Sequence, residues 1–198
     1  MELHITTTSP YARMVQIVIL EKGLTNRVEI VPAKTRQPDS PYYALNPSGR
    51  VPFLVRDDGV GMEDSPLICA YLDQIDGAPS LGPPDGESEW EFRRLEALAR
   101  SMMDGHAVLG RELMRAEEHR SPIIIEHEKQ RSRRMIDLWE REIAYPIMAG
   151  DLNMAQITLV CGLPPAMRKA DFQWPAEHAL LGAWATRIAA HPSIKATA

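Results

Sequence analysis

A segment rich in glycine and proline, DGAPSLGPPDG at residues 76–86, divides the chain into two parts of different character. Because Gly and Pro interrupt both helices and strands, this segment predicts a linker. Strand signals are concentrated before it, whereas the residues after it carry apolar side chains at helical spacing. The sequence therefore predicts two domains, at residues 1–76 and 87–198, joined by a linker over residues 77–86.

The residues before the linker predict alternating strands and helices. A β-rich run at residues 3–8 leads into Ser9-Pro10, where a serine able to cap a helix precedes a proline suited to the first turn. A strand at Val28–Val31 and a connection containing a loop or short helix follow the first helix. The order predicted for the first domain, with its later elements included, is β-α-β-α-β-β-α.

The stretch Asn46–Leu72 supplies the last three of these elements. Val51–Val55 and Val60–Met62 are short apolar runs separated by Asp57-Asp58-Gly59, a pattern typical of a β-hairpin. A second serine–proline pair, Ser65-Pro66, then precedes apolar residues at helical spacing. We expect the Ser65 hydroxyl to cap this helix, whose N-terminus would favour an anion.

The residues after the linker predict a bundle of helices. Apolar side chains recur at helical spacing over four stretches, at residues 87–115, 123–148, 153–163 and 176–190. The third stretch begins with Asn153 and Gln156, a spacing that resembles a capping box. We therefore expect the second domain to be entirely helical.

Composition excludes several partners. The 198 residues carry a formal net charge of −5, spread over both halves, which gives no basic face for nucleic acid and no polybasic anchor for a membrane. No apolar run approaches membrane-spanning length, and the first residues have neither the basic start nor the long apolar core of a signal peptide. We expect a cytoplasmic protein that binds neither nucleic acid nor membranes.

Metal and disulfide chemistry also have little support. Cys69 and Cys161 lie far apart in apolar helical contexts and form no CxxC pair, which favours two buried small side chains. The six histidines show no spacing that would place two ligands on one helix face. The sequence predicts no metal site.

Several motifs together resemble the cytosolic glutathione transferase family. They are Ser9-Pro10-Tyr11-Ala12-Arg13, similar to the SPxxR start of serine-type bacterial members; residues 46–52, similar to NPxGKVP; residues 64–68, similar to ESxAI; residues 93–99, similar to the start of the family's fourth helix; and residues 191–193, similar to its RPS ending. The resemblance covers essentially the whole chain. It implies a thioredoxin-like N-terminal domain followed by a helical bundle domain, and a homodimer.

The resemblance implies a glutathione site in the first domain. A cis peptide before Pro52 would present the backbone of Val51 as an unpaired strand edge for the cysteinyl unit, although Pro52 could instead make only a tight turn. Ser65 would bind the γ-glutamyl carboxylate and Asp64 its ammonium group, unless Ser65 serves only as a cap.

A cation is needed for the glycyl carboxylate of glutathione. Arg50 is the first candidate for this role, with Lys34 and Arg36 behind it. A solvated surface charge accounts equally well for Lys34 and Arg36.

Ser9 is the candidate catalytic residue. Its hydroxyl at a helix N-terminus could donate a hydrogen bond to the glutathione thiolate, and the helix dipole would favour that anion further. Together these effects could lower a thiol pKa of about 8.5 by roughly one to two units. A simple helix cap is the other interpretation of Ser9, and the Tyr11 hydroxyl could take the same catalytic role.

The implied activity is attack of the glutathione thiolate on a small electrophile, a detoxification chemistry. Met103 and His106, in the fourth helix, are implied to line the electrophile site together with Tyr11, although a lone helical histidine is more often structural. Alternatives are a glutathione-dependent isomerase or peroxidase, and a non-catalytic transferase-like binding module.

Overall fold

The structure, a computed structural model, describes residues 1–75, 79–169 and 172–198. The chain divides into two compact units, which we call the N-terminal unit (residues 1–82 and 196–198) and the helical unit (residues 83–195). Residues 76–78, which include the start of the predicted linker, lie outside the described residues. The predicted domain boundaries stay predictions.

Strands and helices alternate in the N-terminal unit. The described elements are β1 (Glu2–Ile5), α1 (Pro10–Glu21), β2 (Glu29–Pro32), α2 (Tyr42–Leu45), β3 (Phe53–Val55), β4 (Gly61–Met62) and α3 (Ser65–Asp73). This is the predicted order β-α-β-α-β-β-α, with α2 as the short helix of the connection. The predicted hairpin is confirmed, since β3 and β4 pair antiparallel.

The four strands form one mixed sheet in the order β2-β1-β3-β4. β1 is parallel to β2 and antiparallel to β3. Helices α1 and α3 pack against each other, and their apolar side chains form a core with those of the sheet. The fully buried side chains of this core include Leu3, Val15, Val18, Leu54, Ile68 and Leu72.

A buried ion pair ties the ends of α1 and α3 to the chain that follows α3. Lys22 Nζ has no exposed surface and lies 3.3 Å from Asp73 Oδ1 and 2.6 Å from the carbonyl oxygen of Pro79. The Asp73 carboxylate also accepts backbone N–H bonds from Leu81 and Gly82, at 3.0 to 3.2 Å. The charges and backbone groups of this corner therefore satisfy one another.

From Ser88 onward the described regular structure is helical. The elements are α4 (Ser88–Leu113), α5 (Pro122–Glu142), α6 (Pro146–Ala149), α7 (Met154–Gly162), α8 (Ala179–Ala189) and α9 (Pro192–Ala196), with 3₁₀ turns at Glu117–His119, Pro165–Arg168 and Ala176–His178. The predicted single helix over residues 123–148 is wrong. The chain leaves it after Glu142 and restarts at Pro146, because a proline cannot continue the helical hydrogen bonds but suits a first turn.

Helix α7 is the centre of the helical unit. Every residue from Met154 to Gly162 is buried, and α7 packs most extensively against α4. A Cβ placed on Gly162 would lie 3.1 Å from the carbonyl oxygen of Ala99 in α4, so glycine allows this close approach. Only half of the predicted capping box is confirmed: the Asn153 side chain accepts the N–H of Gln156 at 3.2 Å. The Gln156 side chain does not return the bond, and its Nε2 donates instead to the carbonyl oxygens of Ile147, Gly150 and Asp151.

Within the part of the chain that the structure describes, no helix combines the length and apolar character needed to span a membrane.

Candidate functional site

One end of the sheet gathers the predicted site residues of the N-terminal unit. Strands β1 and β2 are parallel, and β3 runs antiparallel to both of its neighbours, β1 and β4. Strands β1, β2 and β4 therefore end at the edge of the sheet where β3 begins. We call this the polar end of the sheet. Ser9 follows β1, Lys34 follows β2, Val51 precedes β3, and Asp64 follows β4.

Ser9 caps α1, as predicted. Its backbone is extended (φ −78°, ψ 118°), and its Oγ accepts the N–H of Ala12 at 3.2 Å. That bond uses a lone pair and leaves the hydroxyl hydrogen available to another acceptor. Tyr11, the alternative candidate, is half-buried in the first turn of the same helix.

The peptide bond between Val51 and Pro52 is cis, as predicted. Pro52 is buried and Val51 is half-buried. Among the described residues, neither the N–H nor the C=O of Val51 has a hydrogen-bond partner. An extended chain could therefore pair with this backbone.

The start of α3 differs from its prediction. Asp64, in extended conformation, is the N-cap residue, and its side chain makes no capping bond. Ser65 is the first helical residue, so the expected cap by its hydroxyl is wrong. The Ser65 side chain is almost fully buried at 3% exposure, and no partner for its hydroxyl occurs among the described residues. The helix N-terminus therefore retains a polar group that a ligand could bind.

A polar network lies beside the predicted site residues, and sequence reasoning missed it. Asn46, only 2% exposed, donates to Glu63 Oε2 and to the carbonyl oxygen of Arg50, both at 3.0 Å. Ser48 Oγ donates to the same Glu63 oxygen at 2.6 Å, and its backbone N–H donates to Asn46 Oδ1 at 3.1 Å. The network thus joins the loop before Val51 to Glu63, the residue that precedes Asp64.

Tyr42 completes the network by donating its phenol hydrogen to the carbonyl oxygen of Arg50 at 2.5 Å. Burial raises the pKa of the Tyr42 phenol, the bond from Asn46 opposes the rise, and the charge of Glu63 adds to it. The phenol therefore stays protonated and remains a donor at neutral pH. The Asn46-x-Ser48 spacing, typical of an Asx turn, was a signal for this loop.

Arg50 and Lys34, the first candidates for the glycyl carboxylate, are both exposed. Neither side chain has an acidic partner among the described residues, so both charges are available to a ligand. Arg36 is also exposed, with a positive φ of 61°, and its N–H donates to the Tyr43 hydroxyl at 2.6 Å.

Met103 and His106 belong to α4 in the helical unit. Met103 is fully buried, with its Cβ close to Gly162 of α7. His106 places Nδ1 at 2.6 Å from the carbonyl oxygen of Gly162 and Nε2 at 2.7 Å from Ser132 Oγ. The Nδ1–H form donates to the carbonyl and accepts the serine hydroxyl at Nε2, so both ring nitrogens are engaged inside this unit.

Burial is the largest influence on the pKa of His106, which it lowers. The bond to Gly162 opposes this effect, Arg131 and Arg168 lower the pKa further, and Glu128 raises it. His106 is therefore a neutral imidazole at neutral pH, in agreement with its two hydrogen bonds.

Within the described residues, no group of three or more His, Cys, Asp or Glu side chains could hold a metal ion. Cys69 and Cys161 are both buried and unbridged.

Residues 3–80 match the model of the glutathione S-transferase N-terminal domain. An uncharacterized GST-like protein, YibF, of Escherichia coli K12 is 31% identical over 157 residues, which cover 79% of this chain and 77% of that protein. A glutathione transferase family member from Pseudomonas fluorescens Pf-5, solved with bound S-(propanoic acid)-glutathione, is 32% identical with a TM-score of 0.83, covering 99% of this chain and 97% of its own.

A third relative is the glutathione S-transferase of Methylobacillus flagellatus KT, solved with glutathione bound. It is 27% identical, with a TM-score of 0.85, and the match covers 100% of this chain and 98% of that one. These similarities confirm the fold of a thioredoxin-like domain followed by a helical domain. The chain belongs to the glutathione S-transferase family.

Proposed function

We propose that this protein is a glutathione transferase that binds glutathione at the polar end of its N-terminal sheet and activates the thiol for attack on a small electrophile. The observation that carries the proposal is the gathering of Ser9, Val51 and Ser65 at that end, each with hydrogen-bonding capacity left for a ligand. Two relatives of similar fold were solved with S-(propanoic acid)-glutathione and with glutathione bound, which supports a glutathione site in this fold. No metal takes part in the proposed chemistry.

Each part of glutathione has a proposed partner. The backbone of Val51, before Pro52, pairs with the cysteinyl unit as an added strand would. The N-terminus of α3 and the Ser65 hydroxyl bind the γ-glutamyl carboxylate, and Asp64 binds its ammonium group. Arg50, assisted by Lys34, binds the glycyl carboxylate.

Ser9 is proposed to stabilise the thiolate. Its Oγ is held by the Ala12 N–H, so its hydrogen can point away from the helix toward a sulfur atom. The dipole of α1 favours the same negative charge. This assignment gives the enzyme the serine-type chemistry implied by its sequence, with Tyr11 as the alternative donor.

Tyr11 is proposed to contact the electrophile. Met103 and His106 of α4 are further candidates on the family resemblance alone, and Met103 is fully buried within its own unit. Both ring nitrogens of His106 are already hydrogen-bonded. His106 would therefore make only van der Waals contacts with an electrophile, unless the substrate displaced the Ser132 hydroxyl. We also propose that the protein is a cytoplasmic homodimer, on the family resemblance alone.

A titration of the protein with glutathione by calorimetry, followed by turnover assays with 1-chloro-2,4-dinitrobenzene, tests the proposal. We expect one glutathione bound per chain and conjugate formation that saturates with glutathione. Absence of glutathione binding would overturn the proposed transferase activity and the alternative isomerase and peroxidase activities. Binding without turnover on this electrophile, a peroxide and an isomerisable substrate would favour a non-catalytic module.

A further inference from the structure

The helical unit has a cleft between the loop that joins α6 to α7 and the C-terminal end of α8. Residues 150–152 of the loop and residues 187, 188, 190 and 191 line it, together with Gln156 of α7. The volume of the cleft is about 400 Å³, which falls within the range of small-molecule sites. None of these residues belongs to the proposed glutathione site.

The loop side of the cleft is held in place by Gln156, which is fully buried. Its Nε2 donates to the carbonyl oxygens of Ile147, Gly150 and Asp151 at 2.9 to 3.2 Å. These bonds fix the backbone that carries the exposed Asp151 carboxylate. The acidic side of the cleft is therefore organised before any ligand binds.

The helix side of the cleft carries Arg187, an exposed residue in the last turn of α8. Its Nη2 donates to the carbonyl oxygen of Met148 at 2.8 Å. The same carbonyl accepts the indole N–H of the buried Trp184 at 3.0 Å. A guanidinium has five N–H donors, so this bond anchors the group and leaves others for a ligand.

The two charged side chains line one cleft without forming an ion pair with each other. Within the part of the chain that the structure describes, Asp151 has no basic partner and Arg187 has no acidic one. Leu152 and Ile188 add apolar surface to the wall. The cleft thus offers one carboxylate, one guanidinium and an apolar surface.

We propose that this cleft binds a small zwitterion, an amino acid with an apolar side chain. Its carboxylate would pair with Arg187, its ammonium group with Asp151, and its side chain would lie against Leu152 and Ile188. A ligand that carries only one of the two charges would leave the other protein charge without a partner. The proposal does not rest on the proposed transferase function.

His191 is the remaining titratable residue of the wall, and its Nδ1 lies 3.1 Å from Ser193 Oγ. A protonated imidazole would add to the attraction for a carboxylate, but it could not replace Asp151 as the partner of an ammonium group. The expected preference for a zwitterion therefore holds in either protonation state of His191.

The experiment compares L-leucine with 4-methylpentanoate, which lacks the ammonium group, and with 3-methylbutylamine, which lacks the carboxylate. Each is titrated into the full chain at about pH 8 and followed by calorimetry. We expect one leucine per chain with a Kd of about 1 mM or below, at least about tenfold tighter than either analogue. An analogue that binds as tightly as leucine, or no leucine binding at about 10 mM, would overturn the proposal.

The same titrations with and without saturating glutathione separate this cleft from the proposed glutathione site. Leucine affinity should be the same in both, because the two sites share no residue. Displacement of leucine by glutathione in a competitive manner would place the amino acid in the glutathione site and overturn the proposal. A protein that binds leucine but no glutathione would keep this proposal and overturn the proposed function.

Variants of the two charged residues should give a crossed pattern. Arg187→Gln should weaken leucine and 4-methylpentanoate about tenfold and leave 3-methylbutylamine unchanged. Asp151→Asn should weaken leucine and 3-methylbutylamine and leave 4-methylpentanoate unchanged. A damaged fold would weaken all three compounds alike, so the crossed pattern identifies the two ion pairs. Equal losses for all three compounds in a variant with intact circular dichroism would overturn the proposal.

Two other residues of the helical unit provide matched controls. Arg141→Gln removes an exposed arginine that also bonds a backbone carbonyl, that of Asp137 at 3.0 Å, but does not line the cleft. Asp85→Asn removes an exposed aspartate outside the cleft. Both variants should bind leucine as the wild type does. Losses equal to those of the cleft variants would assign the effect to general surface charge and overturn the proposal.

The positions of the two charges also suit helix ends, since Arg187 lies in the last turn of α8 and Asp151 lies three residues before α7 begins. Urea unfolding of Arg187→Gln and Asp151→Asn measures that contribution separately. Loss of stability in both variants, with no leucine binding by the wild type, would assign the two charges to the helix ends alone and overturn the proposal.

Discussion

The polar end of the N-terminal sheet and the surroundings of His106 differ in how completely the protein satisfies their polar groups. Val51 and Ser65 retain backbone or hydroxyl groups with no partner among the described residues. His106, in contrast, uses one ring nitrogen for Gly162 and the other for Ser132. Since buried polar groups are normally paired, the first arrangement favours a ligand and the second favours a structural role.

The largest expected effect comes from Ser9→Ala. Loss of the hydroxyl removes the proposed donor to the thiolate, which should raise the pKa of the bound thiol by about one to two units and reduce turnover near neutral pH by about 10- to 100-fold. Glutathione affinity should stay within several-fold. The thiolate absorbance of bound glutathione, followed against pH, measures the pKa directly.

Ser9→Ala also removes a helix cap, so its control must separate capping from chemistry. Ser121 caps α5 by accepting the N–H of Ile124 at 3.4 Å, and Ser121→Ala should change stability without changing the thiol pKa. Ser9→Thr, which keeps a hydroxyl, should restore most of the turnover. If Tyr11→Phe alone raised the thiol pKa, the catalytic assignment would pass to Tyr11.

The second prediction tests the other side of the comparison. His106→Ala should lower the free energy of unfolding by about 2 kcal/mol, because the Gly162 carbonyl and the Ser132 hydroxyl lose their buried partner. Glutathione affinity and the pKa of the bound thiol should not change. Urea unfolding and calorimetry measure the two quantities. A stable variant with strongly reduced turnover would instead indicate that His106 contacts the electrophile.

A third prediction concerns the network of Asn46, Ser48 and Glu63. Asn46→Ala should cost about 1 to 2 kcal/mol of stability, because Glu63 and the Arg50 carbonyl lose a buried donor. It should also weaken glutathione binding several-fold, since the loop before Val51 is no longer held. Asn26→Ala, at an exposed turn, is the matched control and should change neither. Unchanged glutathione affinity in the Asn46 variant would show that the network does not position Val51.

Features that depend on neighbouring residues were predictable from the sequence. Ser9 caps α1 and Asn153 caps α7 because a capping side chain bonds an N–H only three residues on. The β3–β4 hairpin follows from its Asp-Asp-Gly turn. The break before Pro146 was equally local, and treating that proline as a helix start would have given α6.

Contacts between distant residues were not predictable in this way. Glu63 meets Asn46 and Ser48 only because the β3–β4 hairpin brings it back to the loop before β3. The partners of His106 come from two other helices, α5 and α7. The Ser65 hydroxyl was misassigned for a related reason, because Asp64, one residue earlier, takes the extended conformation of the cap.

The smallest expected effect is a pH dependence of stability from His106. Burial lowers the pKa of this imidazole in the folded state, where it faces Arg131, Arg168 and Glu128. The unfolded chain binds a proton near pH 6.5, so below about that pH it holds more protons than the folded chain. The contribution of His106 to stability is therefore complete above this pH and is lost as the pH falls toward the folded pKa.

Urea midpoints at about pH 7.5 and 5.5 measure this loss in the wild-type and His106→Asn proteins. The acid loss should be smaller in the variant, because asparagine cannot be protonated in the unfolded chain. His119→Asn, at an exposed position in a 3₁₀ turn, should behave as the wild type does. An equal acid loss in all three proteins would assign the pH dependence to carboxylates such as Glu112, whose pKa is lowered by its bond from the Ser121 N–H.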